Sequence, residues 1–360
     1  MNHFSQIRQQ LSARNIDAML ISSASNVFYA SGFHTTGEGD ALVLVTEKAT
    51  IFITDSRYTE AATARVQDAE IVIRENAAPY TAVLKKYLLR DGVKKLGFED
   101  AALTVKEYNT YRDELGCEFA PASDLLLTLR QSKDEEEIAK LKAAQNIADR
   151  ALLQLWEEIR PGMTEKQIAA RLQYLMLAGG AERMSFDPII AGGPNSSMPH
   201  AVPTDRQVRD GDFLTIDFGC VYDGYCSDTT RTVAIGHATP EMEKVYYTVL
   251  EAQLAGIALA KAGVIGKAVH QAALDVITAA GYGDYFGHGY GHSLGIDIHE
   301  APFFNLRNGK PMPLHAAVSA EPGIYLPGKF GVRIEDVIIL HENGCEDITS
   351  LPKELKILPV

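Results

Sequence analysis

The stretch that most constrains this chain runs Phe213-Leu-Thr-Ile-Asp217-Phe-Gly-Cys-Val-Tyr-Asp223-Gly224-Tyr-Cys-Ser-Asp228-Thr-Thr-Arg231-Thr-Val233. Two alternating runs flank Asp223-Gly224, the dipeptide that most strongly favours a two-residue hairpin turn. With that turn, 222 pairs with 225, 219 with 228 and 217 with 230. Asp217 and Asp228 then lie diagonally on one face of the ribbon, close enough for their carboxylates to converge. Ile216 and Phe218 point the other way, into a core. Two carboxylates held together repel unless a proton or a cation lies between them. Taken alone, the pair reads better as exposed acids on a half-buried hairpin, so the rest of the chain has to decide.

A second pair of acids stands further on. Val332-Arg333-Ile334-Glu335 alternates apolar and charged residues, which puts Arg333 and Glu335 on one face. Glu321 and Glu335 are symmetric about Gly328, inside the turn-like Leu326-Pro-Gly-Lys329, so a simple hairpin sets them nearly opposite one another. Directly opposed like charges are destabilising without a compensating ion. His288, His292 and His299 cluster among glycines that let backbone and imidazole approach closely. A helical zinc motif does not fit, because Gly289 and Gly291 weaken a helix there. The fingerprint of a phosphate-cradling loop is absent. Four carboxylates and one neutral imidazole carry a formal charge of about −4, which two divalent cations would neutralise. Oxygen-dominated ligation favours Mn²⁺ or a similarly hard ion, and two such ions can polarise a carbonyl together.

The surrounding chain divides near 128–132. Residues 1–128 alternate strands and helices: a helix over 3–14, strands at 17–21, 41–45, 51–53, 71–73 and 95–98, and helices opening at 55, 79 and 104. Residues 129–360 open with a long amphipathic helix for which Ser132-Lys-Asp-Glu135 reads as the capping box. A second helix starts at Thr164-Glu-Lys-Gln167, and two more span about 239–261 and 266–280. Strands are expected at 317–321 and 332–340, and the Gly/Pro/Asn/Ser-rich loop 192–200 delivers His200 just ahead of the acidic hairpin.

These residues resemble the pita-bread metallopeptidase family (M24), in particular its aminopeptidase P and prolidase types. The motifs are Thr215-Ile-Asp217-Phe-Gly219, Ser227-Asp228-Thr-Thr-Arg-Thr232, Gly289-Tyr-Gly-His292-Ser-Leu-Gly295, Ala320-Glu321-Pro-Gly323 and Val332-Arg-Ile-Glu335-Asp336. The resemblance implies a mixed α/β (α+β) chain, with a creatinase-like N-terminal domain followed by a pita-bread catalytic domain. It implies Asp217, Asp228, His292, Glu321 and Glu335 as ligands of two divalent metal ions, with Asp228 and Glu335 bridging. Mn²⁺ is the expected ion, and Co²⁺ or Zn²⁺ the alternatives. It implies Glu321 as proton acceptor, His200 and His299 as helpers at the scissile bond, and His200, His288 and His299 as the substrate-site lining. The expected activity is removal of the first residue from Xaa-Pro-peptides. A strict Xaa-Pro dipeptidase is the alternative, and a non-catalytic binding scaffold is the reading from another class. Phe303 stands where many relatives carry a basic residue, which counts against the strict dipeptidase.

The net charge of −13 and the absence of a Lys/Arg run argue against a nucleic-acid partner. No apolar run reaches membrane-spanning length, and the N-terminal residues carry no signal-peptide core, so a cytoplasmic homodimer acting on short peptides is expected. The four cysteines form no CxxC pair and are expected to be reduced.

Overall fold

The computed structural model describes residues 2–75 and 78–360 and separates into two compact units, 1–130 and 131–360. In the first, six strands form one mixed sheet in the order Glu70–Arg74, Thr50–Asp55, Leu42–Thr46, Ala18–Ile21, Lys95–Phe98, Glu118–Pro121. Its central strands read as continuous apolar runs because both faces are covered. Met19, Ile21, Val43, Val45 and Phe52 pack on one side with Phe4, Ile7, Leu11 and Leu125. Ala18, Leu20, Leu42, Leu44, Ile51 and Ile53 pack on the other with Leu84, Leu88 and Leu115. A helix over Ala24–Ser31, capped by the Ser23 side chain, lies outside the expected elements. Its run Val27-Phe-Tyr-Ala-Ser31 is buried throughout and so lacks the one-sided periodicity that marks a helix in sequence.

The second unit is built on antiparallel ribbons backed by two helix pairs. Helices Glu135–Trp156 and Glu165–Ala178 share a core with Ile216, Phe218, Val233 and Ile235. Helices Pro240–Leu259 and Gly266–Ala279 share another with Phe304, Val318, Val332 and Ile338. The long first helix is capped by Asp134, whose box partner is Glu137, rather than by Ser132. Two overlapping boxes compete here: Asp134 and Glu137 exchange hydrogen bonds at 2.8 Å, while the Ser132 hydroxyl turns to Leu314 O, also at 2.8 Å. The Thr164–Gln167 box forms as expected.

The Asp223-Gly224 hairpin keeps one register throughout: Tyr222 pairs with Tyr225, Val221 with Cys226, Phe218 with Thr229 and Asp217 with Thr230. Both turn residues have positive φ, as this turn requires. The ribbon changes sheets midway. Phe213–Phe218 and Thr229–Ile235 lie in a four-stranded sheet, while Cys220–Tyr222 and Tyr225–Cys226 join a three-stranded one. Gly219 is the crossing point, where a Cβ would sit 2.0 Å from Ser227 O.

The second acidic hairpin behaves alike. Gly323–Leu326 pairs with Phe330–Arg333, and Ala317–Ala320 pairs with Asp336–His341 in the same register. The expected single strand over 332–340 is therefore two strands, interrupted at Ile334 and Glu335. Asp228, Glu321 and Glu335 sit in the breaks, and Asp217 lies one residue from the end of its strand. All four cysteines are free thiols. Among the described residues no helix is long and apolar enough to cross a membrane.

Candidate metal centre

The breaks in the two ribbons, the strand Gly291–Ser293 and the loops carrying His200, His288 and His299 converge on one cavity of about 570 Å³. All eight side chains singled out from sequence line it: Asp217, Asp228, Glu321, Glu335, His292, His200, His288 and His299. Ligand atoms of Asp228, His292 and Glu335 lie within 4.8 Å of one another. His292 Nε2 is 3.3 Å from Glu321 Oε1 and 3.5 Å from Asp228 Oδ2.

The tautomer of His292 follows from its other nitrogen. Nδ1 lies 3.2 Å from Ser293 O and donates to it, which leaves the lone pair on Nε2. Burial lowers the pKa of this imidazole, so near neutrality an unprotonated nitrogen faces two carboxylates. Asp228 is raised well above its ordinary value first by burial and then by Asp217 and Glu321, and Glu335 first by burial and then by Asp228, Glu321 and Asp217. Glu321 is raised chiefly by burial. Arg333 partly offsets the negative charge by pairing with Asp217 Oδ2, while the buried Asp217 Oδ1 has no partner among the described residues. An orphaned carboxylate oxygen, a bare imidazole nitrogen and three acids held at raised pKa suit a cation-binding centre. The donors are oxygens with one nitrogen, so the set matches harder divalent ions.

A hydrogen-bonded frame holds these groups, and of its members sequence reasoning did not single out Thr230, Tyr325 or Ser319. Arg333 Nε donates to Thr230 Oγ1 at 3.0 Å, and that hydroxyl donates to Glu335 Oε2 at 2.7 Å. Arg333 Nη1 donates to the Tyr325 hydroxyl at 2.8 Å, which lies 3.0 Å from His288 Nε2. His288 Nδ1 is 2.8 Å from Gly289 O, so Nε2 accepts from Tyr325, and burial keeps the ring neutral. Ser319 donates to Glu321 Oε1 and accepts the His292 N–H, both at 3.0 Å. A signal for two of these was present. Thr230 is the cross-strand partner of Asp217, and Tyr325 stands at the same alternation as Glu321.

With this geometry in view, comparison with known proteins is decisive. Residues 139–342 match Metallopeptidase family M24, and residues 4–132 match the Creatinase/Prolidase N-terminal domain. The chain belongs to metallopeptidase family M24. It therefore has a creatinase-like N-terminal domain and a pita-bread catalytic domain, and it is an enzyme of the metal-dependent peptidase class. The M24 chain is 40% identical to a solved Xaa-Pro dipeptidase from Bacillus anthracis, which superposes with a TM-score of 0.94 over 99% of both chains. It is 38% identical to the X-Pro aminopeptidase from Thermotoga maritima MSB8, with a TM-score of 0.92 over 98% of this chain and 99% of that one. It is 34% identical to an Xaa-Pro dipeptidase from Pyrococcus horikoshii, over 97% of each chain.

Proposed function

We propose that this peptidase hydrolyses the bond between an N-terminal residue and proline, with Xaa-Pro dipeptides as its main substrates. The observation that carries the site is the convergence of Asp217, Asp228, His292, Glu321 and Glu335 on one cavity. The names of relatives support the dipeptide preference, being Xaa-Pro dipeptidase for both the Bacillus anthracis and the Pyrococcus horikoshii proteins. In this reading those five residues hold two divalent ions, Mn²⁺ first among them. When bound, such ions act as Lewis acids toward a carbonyl and lower the pKa of water.

The remaining work falls to the chain. Proline's nitrogen has no N–H, so a peptidase that needs that donor fails on this bond. Glu321, whose pKa burial raises, is suited to take a proton from the attacking water. His200 and His299 line the cleft and steady the scissile carbonyl or the leaving nitrogen. His288 has both ring nitrogens committed to Tyr325 and Gly289, so it shapes the wall of the substrate site. Arg333 fixes Asp217, and Thr230 fixes Glu335. A cytoplasmic location and a homodimer belong to the same reading, and the dimer is checked by light scattering on the purified protein.

One observation favours the longer substrates of an aminopeptidase. Among the described residues lining the cleft, Arg333 is the only Lys or Arg, and its guanidinium is occupied by Asp217, Tyr325 and Thr230. A strict dipeptidase must hold a carboxylate one residue beyond the cut. Side-by-side hydrolysis of Ala-Pro and Ala-Pro-Ala, after chelation and with Mn²⁺ restored, separates the readings. Metal-dependent cleavage confined to Ala-Pro supports the dipeptidase, and release of alanine from Ala-Pro-Ala as fast as from Ala-Pro supports the aminopeptidase. Cleavage of neither by metal-loaded protein would sink both.

A further inference from the structure

Glu300 follows His299 and points away from the cleft. Its side chain is buried, and Oε2 lies 3.3 Å from Nζ of Lys133, whose side chain is 1% exposed. The other oxygen, Oε1, accepts the N–H of Asp297 at 3.0 Å. Lys133 is itself fixed: its N–H donates to His315 O at 3.1 Å, and the neighbouring Ser132 hydroxyl donates to Leu314 O. One carboxylate thus ties the loop 294–299 to the segment that opens the long first helix of the catalytic unit.

That loop is held at its other end by Cys226, whose N–H donates to Gly295 O at 2.8 Å. Gly295 rests on the Glu300 carboxylate so closely that a Cβ would meet both oxygens at 3.0 Å. The strand register slips here, with His292 opposite Phe303 but Ser293 opposite Glu300. The slip leaves Ala301 and Pro302 outside the pairing, while 294–299 is the loop that joins the two strands. Ile298 and His299 emerge from it into the cleft, and the His299 ring packs edge-on against His292 with centroids 4.4 Å apart.

Burying a Lys–Glu pair costs the desolvation of both charges, and two apolar side chains of similar size would stabilise the fold as well or better. What the ion pair adds is direction. We propose that Glu300, anchored by Lys133, is the positioning residue that sets His299 against the substrate's scissile bond. The proposal rests on the Xaa-Pro hydrolysis reading, since that is where His299 has its task.

The test compares Glu300→Gln, Lys133→Met and His299→Ala with the double variant H299A/E300Q, all loaded with Mn²⁺. Glu300→Gln is expected to lower kcat on Ala-Pro about tenfold or more, the usual scale for an outer-shell partner, with KM and Mn²⁺ content unchanged. In the His299→Ala background the same substitution is expected to cost nothing further, because the effect runs through His299. A full additional loss in that background, or wild-type kcat in Glu300→Gln, would overturn the proposal. If His299→Ala has no measurable rate, hydrogen exchange decides. Residues 294–300 are expected to exchange about tenfold faster in Glu300→Gln and Lys133→Met, with the 240–259 helix unaffected. Unchanged protection of 294–300 would also overturn it. A wild-type protein that cleaves neither Ala-Pro nor Ala-Pro-Ala would sink the functional reading first, whereas fast cleavage by both wild type and Glu300→Gln sinks this proposal alone.

Discussion

A carboxylate oxygen buried without a partner costs on the order of 1–3 kcal/mol, and Asp217 carries one beside His292, Asp228 and Glu335 in the same cavity. Single residues here should therefore fail in distinguishable ways. Asp228→Ala and Glu335→Ala are expected to lose bound metal and nearly all turnover, because both acids lie at the centre of the cluster. Normal Mn²⁺ content in either variant would remove that residue from the ligand set. His200→Ala should keep its metal and lose roughly 10²–10⁴-fold in kcat, the range for a proton-transfer or polarising group. Loss of metal would instead make His200 a support for the ligands. Gly291→Ala probes position without touching a ligand. Its Cβ would fall 1.9 Å from Ser319 O, backbone that cannot swing aside, so the strand bearing His292 must move. A destabilisation of about 1–3 kcal/mol with weakened Mn²⁺ binding is expected, measured by urea unfolding and metal titration.

At the scale of elements, the two broken hairpins are fastened together by Arg231. Its five N–H groups meet five acceptors: Pro352 O, Thr230 O, Glu335 O, Asp336 Oδ1 and Leu351 O. That is every donor a guanidinium possesses. The Arg231–Asp336 contact is 2.6 Å with both side chains essentially inaccessible, and Arg231 and Lys353 hold Asp336 below the usual carboxylate pKa against the effect of burial. Asp336→Asn should cost about 3–5 kcal/mol by leaving a buried charge uncompensated, read as a fall in the urea midpoint. A loss under about 1 kcal/mol, the level of a surface pair, would contradict the account. The hairpins themselves were legible in sequence. Asp223-Gly224 fixed the pairing of 217 with 230, and the symmetry about Gly328 put Glu321 and Glu335 at matching positions. The fastenings were not. Arg231 with Leu351 and Lys133 with Glu300 join residues more than a hundred positions apart, and no local periodicity encodes such pairs. The cap at Asp134 was missed because two overlapping boxes, Ser132 with Glu135 and Asp134 with Glu137, fit the same stretch.

For the whole molecule, the acidic cluster couples stability to pH and metal. Asp228 and Glu335 have folded pKa values raised above the unfolded ones, so without metal the folded state binds more protons. The contribution of these two acids to stability is then fully present below the ordinary carboxylate pKa near 4 and is lost as pH rises through the raised values. A divalent ion competes with those protons, so its benefit should grow with pH. Mn²⁺ at about a hundred times its Kd is expected to add about 2.7 kcal/mol, a rise in Tm on the order of 5–10 °C for a unit of this size. At one fixed Mn²⁺ concentration the gain at pH 8 should exceed that at pH 6, and an equal or smaller gain at pH 8 would contradict the charge argument.

The central claim is that Asp217, Asp228, His292, Glu321 and Glu335 form one metal-dependent peptidase centre. Its most direct test is Mn²⁺ counted per chain together with Ala-Pro cleavage, in wild type and Asp228→Ala, after chelation and reloading. Two ions per wild-type chain, cleavage that vanishes and returns with them, and neither ions nor cleavage in Asp228→Ala are the expected results. Cleavage that survives chelation, or an Asp228→Ala variant that keeps both ions and full activity, would contradict it.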